Sequence, residues 1–143
     1  MAIANQEMIR DNNRRQVLEY IVNNPPVSRA ALAKELHLTK ATISNIVQDL
    51  MEQNLVAEIG SAQTALGRKP ILLEFQKKCG YAFSIDVHPR QIITLISDLK
   101  GEDCHLKEYP FQEEDCLLEL LRSIIKETLP RCQNAPYGIV GIS

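Results

Sequence analysis

Residues 39–50 read "TKATISNIVQDL", and the phase of this stretch decides the fold. Ile43, Ile46, Val47 and Leu50 fall at i, i+3, i+4 and i+7, the spacing of one buried stripe on an α-helix. Thr39 stands where a helix N-cap is expected, since its hydroxyl can accept from an otherwise unpaired backbone N–H. Taking out the stripe leaves Lys40, Thr42, Ser44, Asn45 and Gln48 facing away from the core. These side chains suit base edges: Asn and Gln pair bidentately with adenine, Lys reaches guanine or phosphate, and the Thr methyl packs on thymine. A solvated face of a small helical bundle has the same look in isolation, so the neighbouring segments matter.

Just upstream, "SRAALAKEL" predicts a second helix capped by Ser28, with Leu32, Ala33 and Leu36 on one face and "HLT" as a short turn. Earlier still, Val17, Leu18, Ile21 and Val22 form a buried stripe, Arg10, Arg14 and Arg15 lie on wetter turns, and "NNPP" ends the helix. Downstream, Asn54 suits a helix end. The period then moves toward two, with Val56 and Ile59 before a long tip and Ile71, Leu73 and Phe75 after it. That pattern is a β-hairpin.

Three helices followed by a hairpin are the order of a winged helix-turn-helix, whose later helix enters the major groove. Double-stranded DNA is then the expected partner. Lys40, Thr42, Ser44, Asn45 and Gln48 are the expected major-groove readers. Arg14, Arg15, Ser28 and Arg29 are candidates for phosphate contact. The hairpin tip, "TALGRKP" at 64–70, places Arg68 and Lys69 side by side. As a wing they are expected to engage the minor groove or its phosphates. Gly67 allows close backbone approach and Pro70 limits the freedom lost on docking.

From Cys79 onward the pattern changes. "YAFSIDV", "QIITLISDL" and "CHLKEYPF" read as three strands. "EEDCLLELLRSIIKETL" reads as a helix burying Leu117, Leu118, Leu121, Ile124 and Ile125, ended by Pro130. "YGIVGIS" reads as a buried parallel strand. The expected fold class is therefore α+β, with a winged helix over 1–78 and a β-β-β-α-β unit over 79–143. A lone parallel strand is a poor way to finish a domain, so the expectation is a piece of a longer protein whose second part is truncated.

Composition narrows the function classes. Hydrophobic residues make up 45% of the 143, a globular proportion, and the net charge is -2. Basic residues outnumber acidic ones up to Lys78, and the balance reverses beyond it, which fits two modules with different partners. No apolar run approaches the roughly 18 residues of a membrane span, and "MAIANQEMIRDNNRR" lacks a signal-peptide core. Cys79, Cys104, Cys116 and Cys132 show no C-x-x-C, so free thiols in a reducing cytoplasm are expected, with no metal site. No nucleophile–base–acid arrangement marks an enzyme. Asp86 and His88 read as turn residues in "IDVHPRQ".

The segments "IRDNNRRQVLEYI", "VSRAALAKELHLTKATISNIVQDLMEQNLVAEIG", "GRKPILLEF" and "YAFSIDV…IITLISDLKG" together resemble repressors of the ROK family, of the xylose-repressor type. The resemblance spans nearly the whole chain. It implies a winged helix followed by the opening of an actin-like (RNase H-like) sugar-kinase fold. It also implies operator binding as a homodimer, and a sugar effector bound by a C-terminal domain absent from these residues. The family's sugar contacts, catalytic Asp and zinc motif map onto none of residues 1–143. Kinases of this fold place a glycine-rich phosphate loop where this chain has His88-Pro89-Arg90. Glycine is missing there and Pro89 brings no N–H, so ATP binding is disfavoured and no cofactor is expected. The resemblance thus points to a sugar-responsive repressor of carbohydrate-utilisation genes, with a sugar kinase fused to a DNA-binding domain as the alternative. A winged helix that binds a protein instead of DNA is a third possibility.

Overall fold

The computed structural model describes residues 2–61, 70–112 and 116–143. They form two compact units, Met1–Gln76 and Lys77–Ser143, so the division falls just ahead of the boundary expected after Lys78. The first unit contains α1 (Ala2–Asn23), β1 (Val27–Ser28), α2 (Arg29–Glu35), α3 (Lys40–Glu52), β2 (Val56–Ser61) and β3 (Ile71–Phe75). Both expected caps are made. Ser28 Oγ accepts from the Ala31 N–H at 3.2 Å and Thr39 Oγ1 from the Thr42 N–H at 3.1 Å. The turn between α2 and α3 is closed by the Leu38 N–H on the Ala33 carbonyl at 3.2 Å, with His37 at φ +53°. Asn54, at φ +57°, ends α3 in the left-handed region that Asn tolerates better than most side chains.

Val17 and Ile21 of α1, Leu32 of α2, Ile43, Val47 and Leu50 of α3 and Leu73 of β3 are fully buried together. Each such side chain contributes about 1.5–3 kcal/mol of transfer free energy. The sheet order is β1-β3-β2, all antiparallel, with Val27 opposite Leu73 and Val56 opposite Phe75. Strand β1 was not expected, because two residues cannot show an alternation. The register shifts between Glu58 and Ser61, where Gly60 adopts φ +114°. Of the four aliphatic hairpin residues, only Val56 and Leu73 reach the core; Ile59 and Ile71 are exposed.

The second unit opens with a 3₁₀ turn, Lys77–Cys79, followed by β4 (Tyr81–Val87), β5 (Gln91–Asp98), β6 (His105–Pro110), α4 (Leu117–Cys132) and β7 (Ile139–Ile142). Its sheet runs β6-β5-β4-β7, with only the β4–β7 pair parallel. Phe83, Ile92 and Ile96 of the sheet pack with Ile124 and Cys132 of α4. Three expectations fail here. The buried line of α4 runs through Ile124, Thr128 and Cys132, with Leu117, Leu120 and Leu121 half-buried, while Leu118 is 69% exposed and Ile125 is exposed too. Pro130 lies inside the last turn of α4 and does not end it, since a proline there removes a single helical bond close to the terminus. Strand β7 is parallel but not buried: Val140 is 53% and Ile142 65% exposed.

Asp98 closes the β5–β6 turn. Its Oδ1 accepts from the N–H groups of Lys100 (3.0 Å) and Glu102 (2.9 Å), and its side chain is fully buried. Oδ2 takes no hydrogen bond, and Lys77 Nζ stands 3.8 Å from it. Burial pushes the carboxyl up, but the two N–H bonds and Lys77 together outweigh it and hold the group below its ordinary value. Such a carboxylate stabilises the fold fully above the unfolded-state pKa of about 3.9, and the contribution is lost as pH falls through the lower folded-state value. Urea midpoints of the chain should therefore fall below about pH 4, and Asp98→Asn should be less stable at pH 7 with a flatter acid limb. An unchanged acid limb in the variant would remove this role.

Gly80 sits where β4 meets β7. A Cβ there would lie 2.8 Å from Val140 Cγ1 and 3.4 Å from Tyr137 Cβ. Gly80→Ala should cost about 1–3 kcal/mol of stability by overpacking. The double change Gly80→Ala/Val140→Ala should recover much of it in a denaturant melt, because it removes the closest clash.

Candidate nucleic-acid interface

The buried stripe of α3 fixes how the helix is rotated. At 100° per residue, the direction opposite Ile43, Ile46, Val47 and Leu50 is held by Ala41, Asn45, Gln48 and Glu52, all exposed. Asn45 and Gln48 thus occupy the centre of the outward face. Gln48 Nε2 donates to Glu52 Oε1 at 3.0 Å. Lys40 and Ser44 are exposed on one flank, together with half-buried Met51. Thr42 and Asp49, half-buried, lie on the other flank, and the Thr42 hydroxyl is 2.9 Å from that of Thr39. All five expected readers are therefore on α3, but Thr42 has its hydroxyl in the cap, leaving its methyl as the outward feature.

The flanks face different elements. On the Met51 side, Arg29 Nη2 lies 3.6 Å from Met51 Sδ, and Arg29 Nη1 pairs with Glu58 Oε1 of β2 at 2.9 Å. Arg29 therefore ties the start of α2 to the strand leading into the hairpin loop. On the Asp49 side, Arg10 Nη2 of α1 pairs with Asp49 Oδ2 at 2.9 Å, and Arg14 hydrogen-bonds Gln53. Arg15 pairs within α1, with Glu19 Oε1 at 2.8 Å; that hydrogen bond pushes its guanidinium pKa up and keeps it charged. Ser28 is the cap of α2. The phosphate candidates are thus spread over two faces, with Arg14 and Arg29 beside α3. Arg68 and Lys69 lie outside the described residues.

Sequence reasoning missed Arg10, Asp49 and Glu58. A concavity of about 520 Å³ between α1 and α3 is bordered by Gln6, Arg10 and Asn13 on one side and Thr42, Asn45 and Gln48 on the other. No local pattern could have shown it, because the two helices are far apart in sequence. The second unit offers less. Asp86 lies in β4, opposite Ile93, and not on the expected turn; its Oδ2 is 2.9 Å from Nε2 of exposed His88, whose N–H donates to the Gln91 carbonyl at 2.9 Å, closing the hairpin. Among the described residues no group of three or more His, Cys, Asp or Glu is placed to hold a metal ion. All four cysteines are free, and burial pushes the Cys79 and Cys132 thiols up. None of the described helices is long and apolar enough to cross a membrane.

Residues 12–65 match the model of the MarR family. They form a MarR-type winged helix. Over 99% of its length the chain is 37% identical to the xylose repressor of Bacillus spizizenii, and over 98% it is 31% identical to that of Caldicellulosiruptor bescii. It is 22% identical, over 99% of its length, to the DNA-binding transcriptional dual regulator NagC of Escherichia coli. The chain spans 38%, 36% and 35% of these proteins. A crystal structure of a ROK family transcriptional regulator, homologous to the E. coli MLC protein, superposes with a TM-score of 0.65 at 24% identity, covering 94% of this chain and 35% of that one. The fold is thus shared with part of that regulator, a winged helix followed by a mixed sheet and a helix.

The winged helix depends on the Thr39 cap to start α3 at Lys40. Thr39→Ala removes the acceptor for the Thr42 N–H and should cost about 1 kcal/mol. Thr39→Ser should restore most of that in the same urea melt. Equal midpoints for the Ala and Ser variants would show that the cap contributes nothing.

Proposed function

We propose that the chain binds operator DNA in a sequence-specific way through its winged helix, as the DNA-binding part of a sugar-responsive ROK-family repressor of carbohydrate-utilisation genes. One observation carries this reading: a capped helix whose rotation is locked by a fully buried stripe presents Asn45 and Gln48 at the centre of its free face. Two adjacent amide side chains on a helix that a major groove can admit are the means of bidentate adenine recognition. Lys40 and Ser44 read or brace from the hairpin flank, and Thr42 offers its methyl. Arg14, Arg15, Ser28 and Arg29 contact phosphates. Arg68 and Lys69 act as the wing in the minor groove.

The relatives' names support the sugar class, since they are xylose repressors and, in E. coli, an N-acetylglucosamine repressor. Operator binding as a homodimer in the cytoplasm, with release by a sugar bound outside these residues, completes the proposal. The protein acts as a regulator and not as a kinase, because the β4–β5 turn uses its His88 N–H to close the hairpin and contains Pro89.

The test begins with DNA selected from a random pool by the unaltered chain. Asn45→Ala or Gln48→Ala should lose roughly 1–3 kcal/mol on the selected site and almost nothing on random duplex. An equal loss on both assigns that residue to phosphate. Arg68→Ala should weaken binding and relax any preference for A·T pairs beside the site. Unchanged affinity at matched salt removes the wing role.

A further inference from the structure

We infer that Arg10, on the first turns of α1, is a further phosphate-binding residue, which Asp49 holds in place beside the proposed reading helix. The inference rests on the proposed entry of α3 into a major groove. Arg10 meets Asp49 and Arg14 meets Gln53, each pair 39 residues apart. Equal steps of four residues on both helices mean that α1 and α3 run side by side in the same direction over this stretch. Gln6 and Asn13 border the same concavity as Asn45 and Gln48, so α1 rises to the level of the reading face.

Size then decides what α1 meets. A major groove about 12 Å wide admits one helix of about 10–12 Å diameter. A second helix running beside α3 in the same direction cannot enter the groove with it. With α3 in the groove, the first turns of α1 lie over the sugar-phosphate ridge, on the side of α3 away from the Arg29–Glu58 pair and the hairpin.

The residues of α1 there suit that position. Positions 6–12 are all exposed, so these two turns are not held by core packing. The Arg10 side chain is 72% exposed and donates to Asp49. A guanidinium has five donors, so it can hold Asp49 and a phosphate oxygen together. Asp49, left unpaired, would repel the same ridge. The α1–α3 pair thus brings a positive donor to the backbone and cancels a carboxylate next to it.

The experiment measures affinity against salt concentration for the full chain on the pool-selected DNA. The variants are Asp49→Asn, Arg10→Gln, Arg10→Lys and the double change Arg10→Gln/Asp49→Asn. If Arg10 contacts phosphate, the double variant binds more weakly than the unaltered chain, and its slope of log affinity against log salt falls by about 0.9 from that of the unaltered chain. Arg10→Lys should keep most of the slope, and hydroxyl-radical protection of one backbone segment should vanish with Arg10→Gln. If Arg10 only neutralises Asp49, the double variant returns to the affinity and slope of the unaltered chain, which overturns the inference. A change in dimerisation with no change in slope would instead assign α1 to contact with a second copy, and also overturns it. Failure of the unaltered chain to select any DNA removes the DNA-binding reading itself, a result distinct from both.

Discussion

Burial of Ile43, Ile46, Val47 and Leu50 is the constraint on which the first unit depends. These four side chains sit against Val17, Ile21, Leu32 and Leu73, and they set the rotation of α3 about its axis. A one-residue change of phase would turn the helix by 100°, taking Asn45 off the outward face and bringing a buried isoleucine toward solvent. The stability of the core and the identity of the outward-facing residues are therefore one constraint. The caps at Ser28 and Thr39 serve the same end, because they set where each helix begins and so which residue faces which way.

Legibility in the sequence followed the range of the interaction. The α3 stripe, both caps, the Asn54 terminus and the β-β-β-α-β order all come from periodicity or from contacts within four residues, and all could be read. In α4 the apolar residues come in doublets, Leu117-Leu118, Leu120-Leu121 and Ile124-Ile125. A doublet fits two phases 100° apart, and only the packing against Phe83, Ile92 and Ile96 selects between them. Strand β1 has two residues and exists because Val27 finds Leu73 across the sheet. The exposure of β7 depends on which strands lie beside it, and an apolar run alone cannot report that.

The pairs around α3 were the least legible part and the most relevant to function. Asp49 and Glu58 are acidic residues next to a surface proposed to meet DNA, and charge counting would place them against that proposal. Each is paired with an arginine from another element, Arg10 from α1 and Arg29 from α2. Exposed ion pairs contribute little stability, typically below about 1 kcal/mol. Their consequence here is positional: each arginine is held beside α3, and each carboxylate is paired on the surface proposed to meet phosphate.

The two pairs sit on opposite flanks of α3, so α1 and α2, which already meet it in the core, are also tied beside it at the surface. On the Glu58 side the brace joins β2 at the start of its irregularity, where Gly60 takes a φ of +114° that side chains rarely adopt. A bulge there bends the strand as the hairpin loop begins. Arg29, by holding Glu58 against the start of α2, anchors the fixed end of that bend. The course of β2 up to Ser61 is thus coupled to the same helix start that Ser28 caps. A change at Ser28 or Arg29 acts on β2 as well as on the phosphate contacts proposed for the two residues, and loss of binding on substituting them would report both effects at once. Separating the two requires Glu58, which holds the brace and carries no charge that a phosphate would attract.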